Sequence, residues 1–101
     1  MKRVYIAGPM TGLPDFNFPA FNAEAARLRA LGWEVENPAE NRTPPSGEWI
    51  DYMRLALPQL MTCDFILLLP GWQESKGACV EKKVANAMGI FVTENISGPP
   101  A

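Results

Sequence analysis

The hydrophobic positions of this chain follow two rhythms. Short unbroken apolar runs such as "VYIA", "FILLL" and "IFV" alternate with longer stretches in which apolar residues return every three or four positions. The first pattern belongs to strands and the second to one-sided helices. "RVYIAG", Arg3 to Gly8, reads as a first strand ended by Gly-Pro, and "GPMTGLPDFNFP", Gly8 to Pro19, as a loop. Phe18, Phe21, Ala25 and Leu28 then trace a helix whose other face carries Asn22, Glu24, Arg27 and Arg29, and Gly32 stops it. "WEVENP" is a second strand ended by Pro38, and "AENRTPPSG" a polar, proline-rich connection.

The second half repeats the alternation. Ser46 is the expected N-cap of a helix running to about Thr62, with Trp49, Ile50, Met53, Leu57, Leu60 and Met61 as its apolar stripe. Pro58 inside it predicts a kink or a break, because it removes a donor and crowds the preceding turn. "CDFILLLPG" lacks alternation, the mark of a central parallel strand covered on both faces. A third helix, roughly Lys76 to Met88, leads into "GIFVTE", a fourth strand. The tail "NISGPPA" has too little apolar content to order itself.

Strands alternating with helices predict an α/β fold: a small flavodoxin-like or Rossmann-like three-layer domain with a parallel sheet of four strands in the order 2-1-3-4. One domain over residues 1–101 is expected, ordered over about 3–93 with a flexible C-terminal tail. In such sheets ligands bind beyond the carboxyl ends of the strands where strand order reverses. Here that point falls between the first and third strands, so the loops beginning at Gly8 and Pro70 are expected to face each other across a crevice.

Composition narrows the chemistry. A net charge of -2, with nine scattered basic residues, leaves no footprint for a nucleic-acid polymer or an anionic membrane, while a small ligand remains open. The apolar runs are too short to cross a bilayer, and Met1-Lys2-Arg3 leads into a strand in place of a signal-peptide core, so a cytoplasmic protein is expected. Cys63 and Cys79 lack CxxC spacing, and the chain has no histidine, so the usual zinc constellations cannot form; no metal or cofactor is expected. Acid-base or nucleophilic work would fall to carboxylates, Tyr, Lys or Cys.

On the third helix, about 100° per residue places Gly77, Ala78, Glu81, Val84, Ala85 and Met88 on one face. Glu81 lies in the middle of that stripe, and a buried carboxylate must be paired, hydrogen-bonded or aimed into a cleft. Either it salt-bridges Arg54 or a lysine or sits at the stripe's edge, or it serves a ligand. Tyr5 is similarly a core aromatic or an active-site phenol. "GPMTG" matches neither a Walker motif nor a GxGxxG fingerprint, amides near Ser75 to Ala78 are able to bind an anion, and Trp72 is a core or rim aromatic or a stacking surface for a base.

Taken together, "YIAGPMTG", "NPAE" and "CDFILLLPGWQESKGACVE" resemble the nucleoside 2-deoxyribosyltransferase-like family, in particular its short, often phage-associated members of unassigned function. The resemblance spans roughly Val4 to Val92. It implies N-glycosidic chemistry on deoxynucleosides or their 5′-monophosphates, with Glu81 as the nucleophile that attacks the anomeric carbon and Tyr5 as the residue that positions it. Gly8, Pro9, Met10 and Gly12 would approach the sugar or phosphate, with Gly71, Trp72, Ser75 and Gly77 completing the substrate site. One departure stands out: where the family carries an aspartate eight residues before Asp64, this chain has Ala56, so Asp51, Glu74 or Asp15 would have to reach the site instead. Family members often complete the site from a neighbouring subunit's C-terminal part, where this tail offers Asn95 and Ser97. A catalytically weak or inactive nucleotide-binding protein and a phage accessory acting by protein contact are the competing readings. The Trp- and Met-rich second helix predicts a homodimer or higher homo-oligomer.

Overall fold

The computed structural model describes residues 2–101; Met1, the first residue of the expected basic lead-in, lies outside them. The elements in chain order are β1 (Arg3–Ala7), α1 (Phe18–Ala30), β2 (Glu34–Glu36), α2 (Trp49–Leu60), β3 (Phe65–Leu68), α3 (Lys76–Ala87) and β4 (Phe91–Thr93), with short 3-10 turns between several of them. The four strands form a parallel sheet in the order β2-β1-β3-β4. Tyr5 pairs with Glu36 on one side and Ile66 on the other, and Leu67 pairs with Thr93.

The alternation of side chains along β1 and β3 divides the core into two layers. Val4, Ile6, Leu67 and Leu69 pack with Phe21, Ala25 and Leu28 of α1. Tyr5, Ala7, Ile66 and Leu68 pack with Ala56 and Leu60 of α2 and Ala78 and Ala85 of α3. Both faces of the two central strands are covered, which is why β3 is apolar without interruption. Among the described residues no helix is long and apolar enough to cross a membrane.

Local sequence ends the helices cleanly. Gly32 takes φ +100 after α1, and the Gly32 and Trp33 amides donate to the Arg29 and Leu28 carbonyls. Gly89, φ +74, does the same after α3, with Ile90 donating to Ala85. Both are Schellman stops, which favour glycine because a Cβ is penalised at positive φ.

Several expectations are corrected. Ser46 is not the N-cap of α2; that position is Glu48, while the Ser46 hydroxyl accepts the Glu48 amide at 3.1 Å and donates to Asp51. Pro58 does not break α2, which continues to Leu60: so near the C-terminus few turns remain to disrupt. Ile50 and Met61, placed in the buried stripe, are largely exposed, as is Met88 on the expected Glu81 face. The tail, expected to lack order of its own, lies against the domain. Ile96 is buried against the α1-side core, and the Trp33 indole N–H donates to the Gly98 carbonyl at 2.9 Å. One apolar anchor and one indole bond hold a segment that composition alone leaves unattached. Pattern reading also missed a left-handed turn ahead of α1: Asp15, Phe16 and Asn17 take φ 51, 53 and 61, and the Asn17 side-chain Nδ2 donates to the Pro9 carbonyl at 3.0 Å.

Candidate functional site

Because α2 and α3 each connect parallel strands, both run against the sheet, and their first turns lie at its carboxyl edge with the loops after β1 and β3. At that edge the two loops touch. Leu69 donates its amide to the Ala7 carbonyl at 2.8 Å, and a Cβ on Gly8 would come within 2.8 Å of the Leu69 Cβ. Gly71, at φ +88, lies against Pro9, whose Cγ would be 3.3 Å from an added Cβ. The loops expected to face each other across a crevice are therefore in contact at Pro9 and Gly71, and two glycines make the approach possible.

Beneath this edge, β1 presents Tyr5 and α3 presents Glu81. Ala78 and Ala85, one turn before and after Glu81, are small enough for the helix to lie close to the sheet and bring the carboxyl to the phenol. The Tyr5 hydroxyl donates to Glu81 Oε2. Tyr5 is 0% exposed and Glu81 6%. Burial raises the Glu81 carboxyl to about 7 against the lowering effect of the Tyr5 bond. Burial, followed by the neighbouring carboxylate, holds the Tyr5 phenol well above its ordinary value, so it stays a donor.

The structure separates the readings of Glu81. Its helix phase is as expected, with the side chain turned into the core. Among the described residues the ion pairs are Arg3–Glu34, Arg27–Glu24 and Arg29–Glu40, so neither Arg54 nor a lysine pairs with it. Its second oxygen, Oε1, accepts no hydrogen bond there, and the only fully enclosed side-chain nitrogen or oxygen without a partner is Trp72 Nε1. A carboxylate with one oxygen pinned by a phenol and the other without a protein partner, half ionised near neutrality, is chemically available as a nucleophile or base.

The other predicted site residues divide. Ser75 caps α3, its hydroxyl accepting the Ala78 amide at 3.1 Å, and Gly77 sits one turn before Glu81. Met10 is packed against the α1-side core, and Gly12 is exposed with φ +83 and no neighbour within 4 Å of an added Cβ. Trp72 packs on the α2/α3-side core, with the Lys82 ammonium 5.4 Å from its ring, about 140° around α3 from Gly77. "NPAE" is architectural here. Buried Asn37 accepts the Ala39 amide and donates to Asn22, and Glu40 takes a two-pronged contact from Arg29 at 2.7 and 3.0 Å.

Ala56 is buried in the same cluster as Tyr5. None of the three carboxylates named in place of the missing aspartate is hydrogen-bonded to the pair: Asp51 is engaged by Ser46, and Asp15 and Glu74 are exposed. The sequence reading of Trp49 as a stripe, core or rim aromatic and as part of an oligomer-forming helix assigns it no place beside Gly77. An added Cβ on Gly77 would lie 3.5 Å from Trp49 Nε1 and 3.3 Å from Met53 Sδ, and Lys76 Nζ is 4.0 Å from the Trp49 ring centre. Its position at the start of α2, at the carboxyl edge, was the available signal. Two shallow depressions lie elsewhere, one of about 300 Å³ bordered by Trp33, Phe65, Phe91 and Ile96 and one of about 270 Å³ by Arg42, Leu55 and Gln59.

A family model described as a domain of unknown function, DUF4406, matches residues 2–94. The chain belongs to the DUF4406 family. The match covers every strand and helix, so the DUF4406 domain includes both members of the Tyr5–Glu81 pair. Among curated proteins none matches the chain.

Proposed function

We propose that this DUF4406 protein cleaves or transfers at the N-glycosidic bond of a 2′-deoxynucleoside or its 5′-monophosphate, with Glu81 as nucleophile and Tyr5 as the residue that positions it. The observation that carries the reading is the buried, cation-free carboxylate with one oxygen held by a phenol and the other without a protein partner. A structural carboxylate is expected to have both oxygens satisfied or a charged partner.

In the proposed reaction, Oε1 forms a bond to the anomeric carbon as the bond from that carbon to the base breaks, and the base leaves with the bonding pair and takes a proton from solvent. Water, or a second base, then attacks the same carbon and the Glu81 carboxylate departs. A sugar without a 2′-hydroxyl reaches the oxocarbenium-like transition state more easily, so one carboxylate can both stabilise and trap it. The resemblance of "YIAGPMTG" and "SKGACVE" to the nucleoside 2-deoxyribosyltransferase-like family supports the same assignment.

One observation favours a second reading, a nucleotide-binding protein with little turnover: buried Ala56 stands where an acid–base carboxylate would help. Product analysis over a panel of deoxynucleosides and deoxynucleoside monophosphates decides between the two. Release of free base that depends on Glu81 supports the enzyme, and binding without any release supports the second reading. A cytoplasmic setting accords with two free thiols, Cys63 and Cys79. A homodimer is proposed on the exposed apolar residues Ile50, Tyr52 and Met61 of α2 and its C-terminal end.

A further inference from the structure

β4 ends the sheet, and its outer edge is open. Phe91 donates its amide to the Asp64 carbonyl at 3.0 Å, so Phe91 and Thr93 turn their backbone groups toward β3. Val92, between them, turns its N–H and C=O outward, where no backbone group among the described residues meets them. The two edges of the sheet differ in chemistry. β2 carries Glu34 and Glu36, with Glu34 paired to Arg3, whereas the run from Gly89 to Thr93 holds no charge. Charges on an edge strand keep other strands from adding to it, so β2 is guarded and β4 is not. Phe91 at 61% and Met88 at 58% are also the most exposed large apolar side chains among the described residues. The Phe91 ring stands edge-on to Phe65, which meets Trp33 in the same way, and beside this row lies the depression of about 300 Å³ that Thr93, Asn95 and Ile96 also border.

We propose that β4 is a self-association strand: β4 of a second copy pairs antiparallel with it across a two-fold axis at Val92 and continues the sheet from one copy into the other. The edge is self-complementary in that register. Val92 of each copy exchanges both its N–H and its C=O with Val92 of the other, which satisfies the outward-facing groups on both strands. Phe91 then stands opposite Thr93 of the second copy, and Ile90 opposite Glu94, so no like charges face each other. Opposed residues project to the same face of a sheet, which brings Phe91 of the second copy to the depression beside Thr93. The two Phe91 residues lie on the diagonal, about 7–8 Å apart and within reach of aromatic rings. A strand from another protein would have to supply both the matching edge and an apolar side chain at that position; a second copy carries both. The contact is separate from the α2 surface named above and independent of the glycosidic reading. With β4 only three residues long the contact is small, and dimerisation is expected at about 10–100 μM.

Sedimentation equilibrium from about 5 μM to about 1 mM tests the proposal in wild type, Phe91→Lys and Val92→Pro, with Ile50→Lys on α2 as the control. Hydrogen–deuterium exchange of the Val92 amide, followed by NMR at both ends of that range, reads the edge itself in the chains that keep this amide. Phe91 is exposed, so Phe91→Lys is expected to fold, and an edge strand tolerates proline where its nitrogen faces outward. Wild type is expected to dimerise as concentration rises, with slower exchange at Val92 as it does. Phe91→Lys removes the buried ring and sets two like charges on the diagonal, which should weaken the dimer by about tenfold or more. Val92→Pro should weaken it as well, and Ile50→Lys should leave the protection of Val92 unchanged. Exchange at Val92 that does not depend on concentration overturns the proposal, as does an undiminished dimer in Phe91→Lys. A dimer lost in Ile50→Lys and kept in both β4 variants overturns it in favour of α2. A wild-type chain that stays monomeric at the highest concentration overturns the second copy as the occupant of this edge.

Discussion

Replacing Glu81 with Gln should stabilise the protein, and only where the carboxyl is asked to ionise. Burial holds the folded-state carboxyl at about 7, against 4.5 for the ordinary group. Below 4.5 both the folded and unfolded chains carry the proton, and the stability associated with it is fully present. Between 4.5 and 7 the unfolded chain releases the proton while the folded chain keeps it, so stability falls by about 1.4 kcal/mol per pH unit. Over the whole interval the loss approaches about 3 kcal/mol. Glutamine does not titrate, keeps a carbonyl to accept the Tyr5 hydroxyl, and escapes this loss. Near pH 8 Glu81→Gln is expected to be about 1–3 kcal/mol more stable than wild type, raising Tm by about 5–15 °C for a domain of this size. The advantage should shrink to nothing by pH 4. Paired thermal and urea melts from pH 4 to 8.5 measure it. A variant less stable than wild type at pH 8 would refute the reasoning, because it would mean that the ionised carboxylate holds the fold together. A gain of equal size at pH 4 and pH 8 would refute it too, since it would not come from ionisation.

Other consequences follow from the same geometry. If Glu81 must be ionised to attack, kcat/KM should rise with pH through about 7, and Tyr5→Phe, which removes the bond that lowers the carboxyl, should move the midpoint upward; a pH–rate profile with an unmoved midpoint counts against the positioning role. Gly8→Ala should cost about 1–3 kcal/mol in a denaturant melt, because the new Cβ would lie 2.8 Å from the Leu69 Cβ and force the two edge loops apart. Ala56→Asp should raise glycosidic cleavage, by up to about 10²-fold or more, if the missing acid–base group is what limits turnover. The same change places a second carboxyl in the cluster containing Tyr5, so its melting temperature should drop, and a variant with neither effect would show that position 56 does not reach the site.

Which parts of this structure could be foreseen follows from where the information lies. The sheet order was legible because β1 and β3 are apolar on both faces and the intervening helices are one-sided, which leaves few right-handed parallel arrangements. Glu81 was legible because a lone carboxylate stood out among Gly77, Ala78 and Ala85 on one helical face. The Tyr5 contact was legible only through the family resemblance and not from spacing, since it joins residues 76 apart and depends on strand and helix register together. Ile50 and Met61 misled because an apolar residue at the flank of a helix has the same periodicity as one at its centre. The tail misled for the opposite reason: Ile96 alone, with a carbonyl placed for Trp33, anchors a segment of otherwise weak composition. Trp49 was visible as an aromatic, but its closeness to Gly77 and Lys76 belongs to the packing of α2 on α3.

The central claim is that Glu81 carries the sugar. Wild-type protein incubated with a 2′-deoxynucleoside 5′-monophosphate, quenched during turnover and digested, should yield the Glu81-containing peptide heavier by one deoxyribosyl phosphate group, by mass spectrometry. Glu81→Gln should show neither the adduct nor free base. Base release by Glu81→Gln at the wild-type rate would contradict the account.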